Sequence, residues 1–324
     1  MHTRMHITWL LAAVAILTFA AGGCQPRATL PTAGEQGTGD MPGLPAVTLG
    51  EGKKLQVIAT TNLVGDVVSL VGGDRIALTT LMGVGVDPHS YVPTPAHTAA
   101  VHDAHVVFAN GAGLEAFLEE MLDSAGGDAV EIDVSAGLEL REAEDKEEHK
   151  GADPHVWFDV QNVIGWVETI QHTLSALDPA NAEGYEASAG AYVRELEALD
   201  AWIVERVATI PQANLKFVTN HPAFGYFADR YGVEQVGAVY PISPASEPSA
   251  QDIAKLEGVI RTYGVPAVFT ESTVNPKLAD QVARDTGVKL IPLYTGSLGG
   301  PGSGAESYIA LMRYDVNAIV DALQ

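Results

Sequence analysis

The sequence predicts an α/β protein of two lobes, each a parallel sheet flanked by helices, joined by one long rigid helix. Two patterns carry this expectation. Short apolar runs alternate with longer amphipathic stretches in both halves of the chain, and a long segment between the halves keeps a single helical apolar face. In the first half, Leu55 to Ala59, Ile76 to Leu81, Val106 to Ala109 and Ala129 to Val134 read as strands. In the second, Leu215 to Thr219, Val233 to Val239, Ala267 to Thr270 and Leu290 to Leu293 do the same, with helices expected at Ala250 to Tyr263, Pro276 to Thr286 and Ser307 to Leu323. Repeated strand–helix units of this kind build parallel sheets covered by helices. Between them, Asn181 to Thr209 carries Tyr192, Leu196, Leu199, Ile203 and Val207 at intervals of three or four residues, the buried stripe of a helix. That helix reads as a strut between lobes, although a long helix inside one domain has the same signature. The expected divisions are a first lobe over 55–178, a linking helix over 179–210 and a second lobe over 211–324.

Composition bounds the function. A chain of 324 residues with 47% hydrophobic and 18% charged positions has material for sizeable cores, and its 33 Gly and 18 Pro exclude a low-complexity architecture. The formal net charge of −23 repels phosphate backbones, so nucleic acid is not expected as a partner. The same acidity suits cations.

The first 23 residues read as a signal peptide: Arg4 precedes an apolar stretch from Ile7 to Ala21, too short to span a bilayer comfortably. Ala21-Gly22-Gly23-Cys24 resembles a bacterial lipobox, in which the sole cysteine, Cys24, is lipidated and becomes the first mature residue. An ordinary signal peptide with an incidental thiol is the alternative. Residues 24–54 turn to Pro, Gly, Thr and Ala without apolar periodicity, as a flexible tether would. The expected location is therefore extracytoplasmic, anchored to the bacterial membrane.

Three histidines stand where ligands bind in open α/β sheets. His221 directly follows the strand ending at Thr219 and opens an expected helix at Pro222, while His89 and His155 each follow an Asp-Pro pair, Asp87-Pro88 and Asp153-Pro154. Proline fixes its own φ and biases its predecessor away from helix, so each of these rings is held on a stiff turn. Their wide separation excludes a local finger and suits a cleft built from distant loops. Imidazole serves zinc, manganese, iron and nickel alike. His97, His102, His105, His149 and His172 read instead as ordinary loop or helix-face residues.

The order of motifs strengthens this reading. Val57-Ile58-Ala59-Thr60-Thr61-Asn62-Leu63-Val64-Gly65-Asp66, Gly85-Val86-Asp87-Pro88-His89-Ser90-Tyr91-Val92-Pro93, Asp153-Pro154-His155-Val156-Trp157-Phe158-Asp159 and Thr219-Asn220-His221-Pro222-Ala223-Phe224-Gly225-Tyr226-Phe227 are followed by Ser246-Glu247-Pro248-Ser249 and Glu271-Ser272-Thr273. This series resembles the zinc/manganese-binding lipoproteins of ABC importers over residues 55 to 324. The resemblance implies His89, His155 and His221 as metal ligands, two lobes and a connecting helix. One departure matters. The family commonly offers a carboxylate from an Asp in a Tyr-Thr-Asp-Ser-Leu-like run, where this chain has Tyr294-Thr295-Gly296-Ser297-Leu298. Gly296 offers no side chain, which leaves three histidines with water, or an oxygen donor such as Glu271. A hydrogen-bonded supporting role for Glu271 is the preferred expectation.

A site short of one hard oxygen favours zinc over manganese. The expected function is capture of a divalent metal ion, zinc first and manganese second, for delivery to an ABC permease by a monomeric protein that is not an enzyme. A three-histidine zinc hydrolase and a surface adhesion protein are the alternatives. Against the hydrolase, the sequence has no His-Glu-x-x-His run and no obvious base beside a ligand. The acidic run Glu142 to Lys150 reads as a solvated loop, with metal gathering the lesser alternative.

Overall fold

In the computed structural model, the structure describes residues 44–143, 151–240, 248–273 and 275–324. Cys24, His149 and the Ser246-Glu247 pair lie outside these residues, as do the signal segment and most of the acidic run. Two four-stranded parallel sheets form the body. The first contains β1 (Leu55–Ala59), β2 (Ile76–Thr80), β3 (Val106–Ala109) and β4 (Val130–Asp133), in the spatial order β2-β1-β3-β4. The second repeats that order with β5 (Lys216–Thr219), β6 (Glu234–Ala238), β7 (Ala267–Glu271) and β8 (Lys289–Leu293), arranged β6-β5-β7-β8. Every expected strand is present, trimmed or extended by a residue or two. Their near-continuous Val, Ile, Leu and Phe content reflects burial on both faces, as parallel strands require.

Helices α1 (Asn62–Gly72), α2 (Pro95–His102) and α3 (Leu118–Ala125) serve the first sheet, and α6 (Gly225–Tyr231), α7 (Ala250–Tyr263), α8 (Lys277–Thr286) and α9 (Tyr308–Leu323) the second, with α4 (Val160–Leu177) and α5 (Ala182–Val207) between. Their ends follow local chemistry. Thr61 caps α1 by accepting the Val64 amide proton, and Ser249 with Asp252 forms a reciprocal capping box on α7. Gly264 then ends α7 at φ 62°, a left-handed conformation that glycine adopts without steric cost. Among the described residues, no helix is long and apolar enough to cross a membrane.

The strut is α5, whose 26 residues span about 40 Å at the helical rise. The stripe read from sequence, Tyr192, Leu196, Leu199, Ile203 and Val207, is buried along its whole length. These residues belong to one apolar core that also holds Val57 and Phe108 of the first sheet, Phe217 and Phe269 of the second, and Tyr308 of α9. The outer faces of the two sheets have separate, smaller cores. On the buried stripe, Asp200 is an unforeseen charge. It accepts from Arg230 at 2.5 Å and Tyr231 at 2.9 Å on α6, and from Gln161 at 3.1 Å on α4, tying the strut to helices of both lobes. Burial opposes ionisation of Asp200, but its hydrogen bonds to Arg230 and Tyr231 win and hold its pKa below the ordinary carboxylate value.

Two expectations need correction. Part of the expected tether is packed: Leu44, Val47 and Leu49 lie against the main core, and the Val47 amide donates to the Leu177 carbonyl at 2.8 Å. Alternating apolar residues in that short run were enough to dock it despite the surrounding Pro and Gly. The helix expected at Pro222 starts instead at Gly225, because the Ala223 amide turns back to the His221 carbonyl at 2.8 Å and closes a tight turn first.

Truncating Leu196, fully buried on the strut, is expected to destabilise the fold by about 2–5 kcal/mol through lost burial and the cavity left behind. Urea denaturation of Leu196→Ala measures this; a loss below about 1 kcal/mol would mean that the strut is not part of the common core.

Candidate metal centre

All three histidines stand beyond the carboxyl ends of strands. His89 lies in the single 3-10 turn Pro88–Ser90 after β2, where Asp87 accepts from the His89 amide at 3.0 Å and the Ser90 hydroxyl at 2.9 Å. His155 lies between β4 and α4. Here Asp153 Oδ1 accepts from the His155 amide at 3.0 Å and from its ring Nδ1 at 2.8 Å. His221 follows β5, and Glu271 ends the neighbouring strand β7. Glu271 Oε1 takes the His221 amide at 3.1 Å and ring Nδ1 at 2.5 Å, while Oε2 accepts from the Thr295 hydroxyl at 2.6 Å. The gap between β5 and β7 is where the strand order reverses, the place at which an open α/β sheet leaves its ligand crevice.

The rings converge through Nε2. His89 and His155 approach to 3.2 Å between these atoms, and His155 and His221 to 3.0 Å. Carboxylates on the Nδ1 atoms of His155 and His221 fix a proton there and leave both Nε2 lone pairs facing the common centre. Nitrogens about 2.0–2.1 Å from a tetrahedral ion sit ~3.3 Å apart, close to the spacing observed. His155 and His221 are 3% exposed, so the lone pairs face each other in a place poor in water. Among the described residues, these three form the one group of three or more His, Cys, Asp or Glu side chains with donor atoms close enough to share a metal ion.

Electrostatics at His221 is decided by its partner. Burial alone would lower the imidazole pKa, but the adjacent Glu271 carboxylate raises it above the ordinary value. The converse holds for Glu271: burial opposes its ionisation, and the His221 imidazole outweighs that and pulls its pKa down. Each partner thus shifts the other in the direction that strengthens their hydrogen bond.

Among the described residues, Glu271 has both oxygens committed to His221 and Thr295. At Gly296 an added Cβ would lie 2.8 Å from Pro88 Cδ and 3.1 Å from Cγ, so this position abuts the turn that carries His89. The ring of Pro88 takes up the room a side chain there would need. His97 instead contacts the Tyr91 hydroxyl, His102 the Ala125 and Gly126 carbonyls, and His105 the Gln56 amide.

Several supporting residues were not foreseen. Asp153 reads from sequence only as a turn former, yet its carboxylate also takes the ring Nδ1 proton of His155. In the first sheet, Glu115 accepts from the Thr60 hydroxyl and the Asn110 and Gly111 amides, and the Asn110 amide group donates to the Pro154 carbonyl at 3.0 Å. Burial pushes the Glu115 carboxyl up to about 7. The stretch 294–298 joins the lobes: the Leu298 amide donates to Asn62, Ser297 Oγ accepts from Asn62 and the Gly85 amide, and Trp157 donates to the Thr295 carbonyl. Asp315 anchors its start by accepting from the Tyr294 amide at 2.9 Å.

Comparison with known proteins agrees with this arrangement. Residues 57–322 match the family described as zinc-uptake complex component A, periplasmic. A manganese-binding lipoprotein of Halalkalibacterium halodurans is 35% identical over 274 residues, covering 84% of this chain and 90% of the relative. A manganese ABC transporter substrate-binding lipoprotein of Streptococcus mitis is 31% identical over 279 residues, with 84% and 90% covered. The solved periplasmic zinc-binding protein of Treponema pallidum superposes with a TM-score of 0.77 at 29% identity, covering 84% of this chain and 99% of that one. The chain thus belongs to the zinc-uptake component A family, as a substrate-binding component of metal ABC importers and not an enzyme.

Proposed function

We propose that His89, His155 and His221 together hold one divalent metal ion, which the protein captures outside the cytoplasmic membrane and delivers to an ABC permease. The observation that carries this is the approach of three Nε2 atoms, from turns far apart in sequence, to within bonding reach of one point. In this reading, Glu271 and Asp153 orient their rings and do not ligate. Zinc is the first choice and manganese the second. The names of the two sequence relatives favour manganese for those proteins; the donor set here favours zinc, which accepts three imidazoles and a water, whereas manganese prefers oxygen-rich octahedral sites. Anchoring through a lipid on Cys24 and action as a monomer complete the proposal. The hydrogen bonds that bind 294–298 to the first lobe, together with the strut, favour a small closing motion.

Removing a ligand is the primary test. Zinc is expected to raise the melting temperature of the full chain, since a ligand held only by the folded state stabilises it, and His155→Ala is expected to lose that shift. An equal shift in both proteins would refute ligation by His155.

Metal and proton compete for the same Nε2 atoms, so binding releases protons and affinity falls with pH. Because Glu271 raises the His221 pKa, zinc affinity is expected to begin falling above pH ~6.5 and to continue falling as the solution is acidified. Calorimetry at several pH values reads this directly; a flat profile would contradict histidine ligation.

Glu271→Gln removes the charge that lifts His221 and leaves only burial acting on it. The His221 pKa, followed by NMR in the metal-free protein, is expected to drop below its wild-type value, and metal affinity to weaken by about 10–100-fold. An unchanged pKa would show that the contact does not control the ring.

Gly296→Asp places an oxygen beside the His89 turn at the expense of the Pro88 contact. Competition titration is expected to show the zinc preference shifting toward manganese; an unaltered preference would refute the donor-set argument.

A further inference from the structure

The histidine cluster opens to one side. A cavity of about 370 Å³ reaches His155 and His221 and is walled by Asp153, Arg141, Pro222 and Asp229, among others. Neither His89 nor any residue of 294–298 lines it. The stretch 294–298 is instead sewn to the first lobe by the hydrogen bonds described above. A captured ion therefore has its way in and out over the His155–His221 edge.

Arg141 stands in that passage. Its guanidinium pairs with Asp229 on α6, lies 3.7 Å from Asp153 Oδ2 through Nε, and sits over the Tyr226 ring at 5.9 Å. Nε is buried and makes no hydrogen bond, so the side chain is shared between two carboxylates without being fully satisfied by the inner one. Gly225 makes room for it: a Cβ there would come within 2.6 Å of Arg141 Nε and 2.9 Å of Asp153 Oδ2. The backbone is secured separately, because the Tyr226 hydroxyl accepts from the Arg141 amide at 3.0 Å and donates to the Asp153 carbonyl at 2.9 Å. A segment already pinned in this way does not need the guanidinium to keep its course.

The guanidinium stands at the mouth of a cation passage among the carboxylates Glu142, Asp153, Asp229 and Glu234. A positive charge a few ångströms from a cation's path opposes its passage, twice as strongly for a divalent ion, and the carboxylates offset part of that. Asp229, 66% exposed, holds the charge only lightly, since exposed ion pairs contribute little. The side chain can therefore swing outward with Asp229 as its resting partner.

We propose that Arg141 is the gate of the metal passage, a positioning residue that slows both capture and release without setting the affinity. The inference rests on the reading of His89, His155 and His221 as the metal site. The test uses stopped-flow mixing of the full chain with zinc, and of the zinc-loaded chain with a chelator. Trp157, whose ring lies 5.4 Å from that of His155, supplies the fluorescence signal. In Arg141→Gln, both association and dissociation rates are expected to rise by about tenfold, the equivalent of ~1.4 kcal/mol of barrier, with Kd within about threefold of wild type. Asp229→Asn leaves the guanidinium uncompensated beside Asp153 and is expected to slow both rates, and it decides the matter if Arg141→Gln does not fold. Unchanged rates in a variant that binds zinc would overturn the gate, as would a weaker Kd produced by dissociation alone, which marks a structural defect in the site. A wild-type chain that binds no zinc or manganese would instead overturn the metal-site reading itself.

Discussion

The molecule is organised around a juxtaposition that is unfavourable by itself: imidazole nitrogens brought within about 3 Å of each other, two of them with buried lone pairs aimed at a shared point. Acceptor lone pairs brought this close repel one another, and a cation at the shared point would turn that repulsion into attraction. Carboxylates prevent the rings from escaping by rotation: Asp153 takes the Nδ1 proton of His155 and Glu271 that of His221. Glu271 is held in turn by the Thr295 hydroxyl. The polar contacts of the fold thus serve orientation, and the proposed ion would supply the remaining attraction.

Such placement demands a stiff frame. The two sheets share strand order and a continuous inner core, and the strut crosses that core from end to end. Asp200 adds a polar fastening from the strut to α4 and α6, so the helices nearest His155 and His221 cannot slide freely past one another. The stretch 294–298 closes one flank of the cleft through Asn62, Gly85 and Trp157. The flank of Arg141 and Asp229 keeps a cavity that reaches His155 and His221. Stiffness at one flank and access at the other together suit the proposed exchange of an ion through small side-chain movements.

Much of this was legible in the sequence, for physical reasons. Strands of a parallel sheet are apolar on both faces, so Leu55 to Ala59 and Ala267 to Thr270 stood out as short hydrophobic runs; the strut announced itself through a stripe of helical spacing. His89 and His155 were conspicuous because proline stiffens each turn, and His221 because it follows a strand directly. Partner choice was less legible. Asp87 and Asp153 read alike as turn formers in the same tripeptide, and the bond from the His155 ring to Asp153 carried no separate local signal. Arg141 and Asp229 meet across the cleft from segments with no local signal of pairing, and Asp200 breaks the apolar stripe that marked its helix. The docking of Leu44, Val47 and Leu49 was masked by neighbouring Pro and Gly, whose composition speaks for a tether.

Everything depends on one metal ion binding three imidazole nitrogens at the same time. X-ray absorption spectroscopy of the zinc-loaded full chain counts those nitrogens directly. The account predicts multiple scattering from three histidine rings at about 2.0–2.1 Å, falling to two in His89→Ala. A first shell with one histidine or none, or one unaltered by His89→Ala, would contradict it.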